Sequence, residues 1–296
     1  MLRRRFIRSA FAAAAISGLA AESPWGSPVL DIHLHPRRDG SQEIDHLEGS
    51  GVRKAVLLPG AGSGEQALAV MAKYPDRFVR FTNADVRTPD SAGLIRAGLK
   101  AGATGIGELK YPVQVDGPEM RRVYDIAAEF RVPVLIHFEE GGFNSGLNRL
   151  PEILRSYPRT IFIGHAQSWW AHISADVDDK IGYPAGPVKS AGLTDKLLAD
   201  YPNIYGDLSA NSGRNALARD PEFAAAFLSR HRSKLMFGSD CPCRDGRGAG
   251  QPSRTPALKD KCVARETLTL LQQLASPELF RTITWKNGAE LLRFSA

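Results

Sequence analysis

The octapeptide VLDIHLHP, Val29 to Pro36, sets two imidazoles, His33 and His35, two residues apart at the end of an apolar run. In a strand that spacing aims both side chains at one face. Four further side chains of ligand or acid type close similar apolar runs. They are Glu108 in GIGELK, His137 in VPVLIHFEE, His165 in IFIGHAQ and Asp240 in LMFGSD. Imidazole nitrogens and carboxylate oxygens together are the donors a divalent transition ion takes. The other three histidines, His46, His172 and His231, fall in helical segments or a long loop and read as surface or structural residues.

The runs that carry these residues recur at a regular pitch: Val29–Leu34, Val52–Leu58, Phe78–Asn83, Thr104–Leu109, Val132–Phe138, Thr160–Gly164, Ile204–Leu208 and Leu235–Phe237. Several are rich in Val, Ile and Phe, as parallel strands covered on both faces should be. Helical patterns lie between them. PEMRRVYDIAAEF sets Met120, Val123, Tyr124 and Ala127 at helical spacing behind Pro118, and LPEILRSYP and DPEFAAAFLSRH open with Pro just before Glu. Strand starts are mostly about 25–30 residues apart, the length of one βα unit. Eight strands with helical crossovers predict an α/β fold, a single (β/α)8 TIM barrel with a C-terminal helical tail from Ser276. A doubly wound open sheet is the competitor, but no Gly-rich phosphate turn follows the first run. In a barrel, the C-terminal ends of parallel strands ring one mouth. His33, His35, Glu108, His137, His165 and Asp240 should therefore surround one point.

Composition narrows the partners. Hydrophobic residues make up 43% and charged residues 24%, which argues for a packed core and against disorder. The net charge of +6 owes much to Arg3, Arg4, Arg5 and Arg8; without residues 1–20 the chain holds 34 basic and 32 acidic residues. A near-neutral body offers no footprint for nucleic acid. The start, MLRRRFIRSAFAAAAISGLA, has the plan of a secretory signal, with an apolar run too short to span a bilayer. RRRFIR resembles the twin-arginine export motif. That resemblance implies export, with the twin-arginine machinery as a partner and a periplasmic destination. The segment's plan places cleavage after Ala20 or Ala21; a short linker follows over 21–27, and the barrel then spans 28–296. An uncleaved anchor, or an odd basic start of a cytosolic protein, is the alternative. Cys241, Cys243 and Cys262 are too few for a disulfide scaffold, although one Cys241–Cys243 or Cys243–Cys262 bridge is open to an exported chain. Oligomeric state stays open, a homo-oligomer included.

With DIHLH, GIGELK, LIHFEE, IGHAQ, YGDLSA and FGSDCP in this order, the chain resembles the amidohydrolase superfamily, in particular its amidohydrolase-related and TatD-like metal-dependent hydrolases. The match runs from Val29 to about Phe294. The resemblance implies that His33 and His35, with Asp240, bind the more buried metal. In two-metal members His137 and His165 take a second ion; in one-metal members His137 completes the site and His165 acts as an acid or oxyanion stabiliser. Many two-metal members bridge the ions with a carboxylated lysine on strand 4. This chain has Glu108 there, as in the TatD-like pattern, and Lys110 lies two residues on.

The chemistry implied is a divalent cation, zinc before manganese or iron, that lowers the pKa of its water from 15.7 to about 7. Asp240 then accepts the water's proton and passes it to the leaving group. The expected reaction is hydrolysis of an ester, lactone, amide or phosphoester bond in a small molecule. The alternatives are a one-metal decarboxylase or hydratase of an unsaturated or aromatic acid, a TatD-like nuclease, or a non-catalytic metal-binding protein. Substrate selection falls to loops. Trp169 and Trp170 read as an apolar wall or as cover for the barrel top, and Arg214 and Arg37 or Arg38 as clamps for a substrate carboxylate. Lys110 reads as a substrate-binding residue pointing the way of Glu108 or as a surface residue of the following loop. Cys241, next to Asp240, lies close enough in sequence to approach the metal.

Overall fold

The structure is a computed structural model describing residues 23–37, 42–252 and 256–294. The twin-arginine motif, the signal segment 1–20 and Arg38 lie outside the described residues. Among the described residues the strands are β1 (Leu30–Leu34), β2 (Lys54–Leu57), β3 (Phe78–Arg80), β4 (Ile106–Leu109), β5 (Pro133–His137), β6 (Ile161–His165), β7 (Ile204–Asp207) and β8 (Leu235–Met236). Each falls on a run expected from the sequence, shortened at one or both ends, except that β6 runs one residue past its expected end to His165. The helices are α1 (Gln42–Ser50), α2 (Gly64–Lys73), α3 (Ser91–Lys100), α4 (Pro118–Phe130), α5 (Leu150–Ser156), α6 (Gln167–Ala171), α7 (Leu193–Asp200), α8 (Ala210–Ala218), α9 (Pro221–Arg230), α10 (Val263–Leu274), α11 (Pro277–Arg281) and α12 (Asn287–Leu291). A π-helical turn, Thr282–Lys286, joins the last two. No helix among the described residues is long and apolar enough to cross a membrane.

All pairings are parallel, in the orders β1-β2-β3 and β4-β5-β6-β7-β8. Backbone bonds join these two sheets into the expected barrel. Thr82 N–H donates to Gly105 O and Gly107 N–H to Thr82 O on one side; Ile32 N–H donates to Phe237 O and Asp240 N–H to His33 O on the other. Inside, Leu30, Ile32, Val56, Leu58, Phe81, Leu135, Ile163 and Met236 form one cluster, floored by Trp285 and Leu292 from the C-terminal segment. A larger apolar layer lies between the strands and the outer helices.

Two local features aim the strand ends. The register of β1 on β2 shifts between Asp31 and Leu34. Leu30 and Ile32 belong to the interior cluster, while Val29 and Leu34 belong to the outer layer. The side-chain alternation therefore flips between Ile32 and His33, which brings His33 and His35 to the mouth; a bulge re-aims a strand in this way. On β4, Gly107 has φ +135°, and a Cβ there would lie 2.6 Å from Leu135 O. Only glycine lets β4 approach β5 so closely just before Glu108.

Candidate metal centre

The six mouth residues do converge. His33 Nε2 and His35 Nε2 are 3.3 Å apart. Asp240 Oδ1 lies 3.4 Å from His35 Nε2 and 3.8 Å from His33 Nε2, and Glu108 Oε2 lies 3.4 Å from His35 Nε2. The other oxygen of Glu108, Oε1, is 2.6 Å from His137 Nδ1 and 3.5 Å from His165 Nε2. Asp240 Oδ2 comes within 4.0 Å of His165 Nε2. One carboxylate thus divides its oxygens between two groups of imidazoles.

Each imidazole is oriented through its other nitrogen. His35 Nδ1 can only donate to the carbonyl of Leu58, 2.9 Å away, so its Nε2 carries a lone pair. His33 Nδ1 donates to Asp207 Oδ2 at 2.7 Å. Ser209 Oγ–H also donates to Asp207 Oδ2, leaving its oxygen to accept from His165 Nδ1 at 2.8 Å. His137 Nε2 pairs with Glu139 Oε2 at 3.2 Å. Burial acts to lower His33 and His35, but the neighbouring carboxylates outweigh it and raise both above the ordinary histidine value. In the neutral form that binds metal, their Nε2 lone pairs face one another, and a cation between them takes the place of the protons. The spacings of His35 Nε2 to His33 Nε2, Asp240 Oδ1 and Glu108 Oε2, 3.3–3.4 Å, match the roughly 3.3 Å edge of a tetrahedron with metal–ligand bonds of 2.0–2.1 Å, while His33–Asp240 at 3.8 Å is wider. An outer layer of Asp207, Ser209, Glu139 and a backbone carbonyl is the usual support of metal-bound histidines. The donor set thus fits a divalent transition cation.

Electrostatics follow from burial and proximity. Burial pushes His165 down to about 3, with His33 adding to the effect, so the ring is neutral. Burial acts to raise Glu108, but hydrogen bonds with His137 and His35 outweigh it and hold the carboxyl well below its usual range. For Asp240 burial is likewise outweighed, by the charges of His33 and His35, and the carboxyl lies at about 2. His35 and Asp240 are 43% and 30% exposed, against 0% for His33 and 1% for His165, so the site opens on their side. A cleft of about 190 Å³ leads in past Lys110, Gln167, Tyr183, Asn211 and Pro242.

The loop residues fare differently. Lys110 lines the cleft, with its ammonium 5.3 Å above the Phe143 ring. Trp169 is not a pocket wall: it is fully buried and stacks on Phe138, because α6 turns it under the mouth. Trp170 is buried beside it, its Nε1–H donating to Asp207 O at 2.9 Å. Arg214 turns toward α10, where it meets Glu266 at 3.5 Å. Arg37 spends its guanidinium on the carbonyls of Gln42 and Cys241, so it ties the chain together instead of facing the cleft. His172 pairs with Asp179, and His231 with Asp195, each at 2.7 Å.

Sequence reasoning missed Asp207, Ser209 and Glu139. Asp207 ends β7 as Asp240 follows β8, and Glu139 stands two residues past His137 as His35 does past His33, so the same positional rules could have found them. Gly238 fits this layer: a Cβ there would meet Asp207 Oδ1 at 2.3 Å and His33 Cβ at 2.9 Å.

A sequence profile described as amidohydrolase matches residues 39–294. No curated protein sequence matches. Among solved structures, the 2,6-dihydroxybenzoate decarboxylase from Rhizobium is 13% identical with a TM-score of 0.54, covering 91% of this chain and 100% of its own. The TatD homologue from Escherichia coli K12 is 15% identical with a TM-score of 0.56, over 90% and 98%. Dihydroorotase from Campylobacter jejuni is 16% identical with a TM-score of 0.54, over 90% and 84%. At these identities the likeness is one of fold.

Proposed function

The chain belongs to the amidohydrolase family, and from that premise we propose that it is a metal-dependent hydrolase cleaving an ester, lactone, amide or phosphoester bond of a small molecule. The observation that carries this reading over a one-ion decarboxylase is the placement of Glu108. Its Oε2 faces His35 while its Oε1 faces His137 and His165. A carboxylate so divided suits two ions, one held with His33, His35 and Asp240, the other with His137 and His165. Zinc is the first choice for imidazole and carboxylate donors, ahead of manganese and iron.

When bound, such ions supply Lewis-acid polarisation and a water acidic enough to ionise near neutral pH. The chain's residues do the rest. Asp240, ionised and partly exposed at the mouth, accepts a proton from the attacking water and returns it to the leaving group. His165, neutral and fixed through Ser209, presents Nε2 toward the site. Lys110 supplies a cation at the cleft wall for an anionic group of the substrate.

The test is an activity screen with esters, lactones, amides and phosphodiesters after chelation and reloading with Zn²⁺ or Mn²⁺, together with elemental analysis. We expect hydrolysis that requires two ions at the mouth. Turnover of an aromatic acid to carbon dioxide with one ion there would overturn the reading.

Export through the twin-arginine pathway rests on residues 1–20 alone, and so does a periplasmic home. Replacing Arg3 and Arg4 by Lys should hold the protein in the cytoplasm, as fractionation would show; unchanged localisation would remove the proposal.

A further inference from the structure

Beside the mouth, a second set of buried ligand-type side chains converges. His46 on α1, Cys241 and Cys243 after β8, and Cys262 at the N-terminus of α10 bring one ligand atom each to within 4.8 Å of all the others. The four residues are between 0% and 4% exposed. Cys241 Sγ is 3.2 Å from Cys243 Sγ and 3.7 Å from Cys262 Sγ, and Cys243 Sγ is 3.5 Å from His46 Nδ1.

These spacings discriminate between the uses of three thiols. A disulfide needs sulfurs about 2.05 Å apart, and all three cysteines are free. A tetrahedral zinc with Zn–S near 2.3 Å and Zn–N near 2.05 Å has S···S edges of roughly 3.8 Å and S···N edges of roughly 3.5 Å. The Cys241–Cys262 and Cys243–His46 spacings fall on those edges, and Cys241–Cys243 at 3.2 Å lies inside them. His46 Nδ1 also faces Cys243 O at 3.1 Å, and the ring's Nε2 is buried without a partner, so metal binding through Nδ1 requires the proton to move to Nε2. Beyond one another, the thiols find little: Gln251 Oε1 lies 3.4 Å from Cys241 Sγ. Three soft sulfurs and one imidazole, closed off from solvent, are the donors of a structural zinc site.

We propose that His46, Cys241, Cys243 and Cys262 bind a structural Zn²⁺, separate from the ions of the mouth. Binding displaces the thiol protons to solvent and leaves three thiolates and one neutral imidazole on the metal. The ion cross-links α1, the segment after β8 and α10, three elements otherwise joined by packing and scattered hydrogen bonds. Its nearest link to the chemistry is covalent, since Cys241 follows Asp240 directly. Arg37 adds a second tie by donating to Cys241 O at 2.7 Å.

The test uses the full chain as purified. Titration with a mercurial reagent, read with a chromogenic zinc indicator, should release one zinc per chain as three thiols react. Elemental analysis of Cys243→Ser and Cys262→Ser should show one equivalent of zinc fewer than the parent. His33→Ala, which disrupts the mouth, should keep the thiol-linked zinc. Cobalt loaded in place of zinc should give a sulfur-to-cobalt charge-transfer band in the parent and in His33→Ala. Should the cysteine variants fail to fold, the mercurial and cobalt readouts on the parent decide alone. Three thiols that react without releasing zinc, or a Cys241–Cys243 disulfide in the mass spectrum, would overturn the site. Neither outcome bears on the hydrolase reading, because none of these readouts is activity.

Discussion

The two buried clusters meet at the Asp240–Cys241 peptide bond and differ in every property that decides a metal site's use. The mouth offers nitrogen and oxygen donors from the ends of five strands, each imidazole braced by a further acceptor or hydroxyl, and it is open on the side of His35 and Asp240. The flank offers sulfur and one imidazole from two helices and a loop, and it is sealed. An open position is what a reacting site must keep, and four closed donors are what a structural site needs. Strand ends held by a closed barrel are preorganised without metal. The flank elements lack such a frame, and there an ion has mechanical work to do.

The largest expected effect is at the mouth. Asp240→Asn should lower kcat about 10³-fold, roughly 4 kcal/mol of barrier, while the thiol-linked zinc stays. Asn is the suitable probe because Asp240 has φ +44° and Asn tolerates the left-handed region that Ala does not. Full activity in that variant, measured as kcat/KM, would erase the division of labour. Cys243→Ser should act the other way round, costing about 3 kcal/mol of folding stability in urea denaturation. The mouth ions should remain by elemental analysis.

Asp195 supplies a buried cluster that needs no cation. Burial acts to raise its carboxyl, but hydrogen bonds from His231 and Arg230 outweigh it and hold it below the ordinary value of 3.8. A depressed acid stabilises the fold above its unfolded pKa, and that stability is lost as pH falls through the lower folded value. Asp195→Asn should therefore cost about 2 kcal/mol at neutral pH and flatten the acid limb of the stability profile below pH 4. Chelator should not alter that difference; if it did, the contrast between metal-held and proton-held clusters would fail. The smallest effect belongs to Ser209→Ala. Losing the acceptor for His165 Nδ1 should weaken mouth metal binding about tenfold, read by competition with a zinc indicator, with thiol-linked zinc unaffected.

How much of this was legible in the sequence follows from distance along the chain. The eight apolar runs were readable because each is local, and the barrel rule then placed six distant side chains together without any knowledge of their contacts. The parity flip after Ile32 was not readable, since a bulge depends on the partner strand. Trp169 reads as an apolar wall or as cover for the barrel top from its neighbours, yet the short turn of α6 buries it against Phe138. His46 and Cys243 lie 197 residues apart on different elements, and no periodicity links them. Asp207 and Ser209 were within reach, because YGDLSA ends a strand as plainly as FGSD does, but residues that support ligands carry no spacing signal of their own.

The floor of the barrel has a consequence for timing. Trp285 and Leu292 close the interior whose wall begins at Leu30, and Gly288 sits directly on Leu30 and Ile32. Synthesis proceeds at about 5–20 residues per second. The ribosome therefore delivers the first strand on the order of ten to fifty seconds before the segment that plugs it. Until that segment emerges, the inward faces of the strands already made lack their floor. A ribosome-stalled chain ending near Ser276 should stay protease-sensitive throughout, whereas a chain extended past Phe294 and clear of the exit tunnel should acquire resistance in one step.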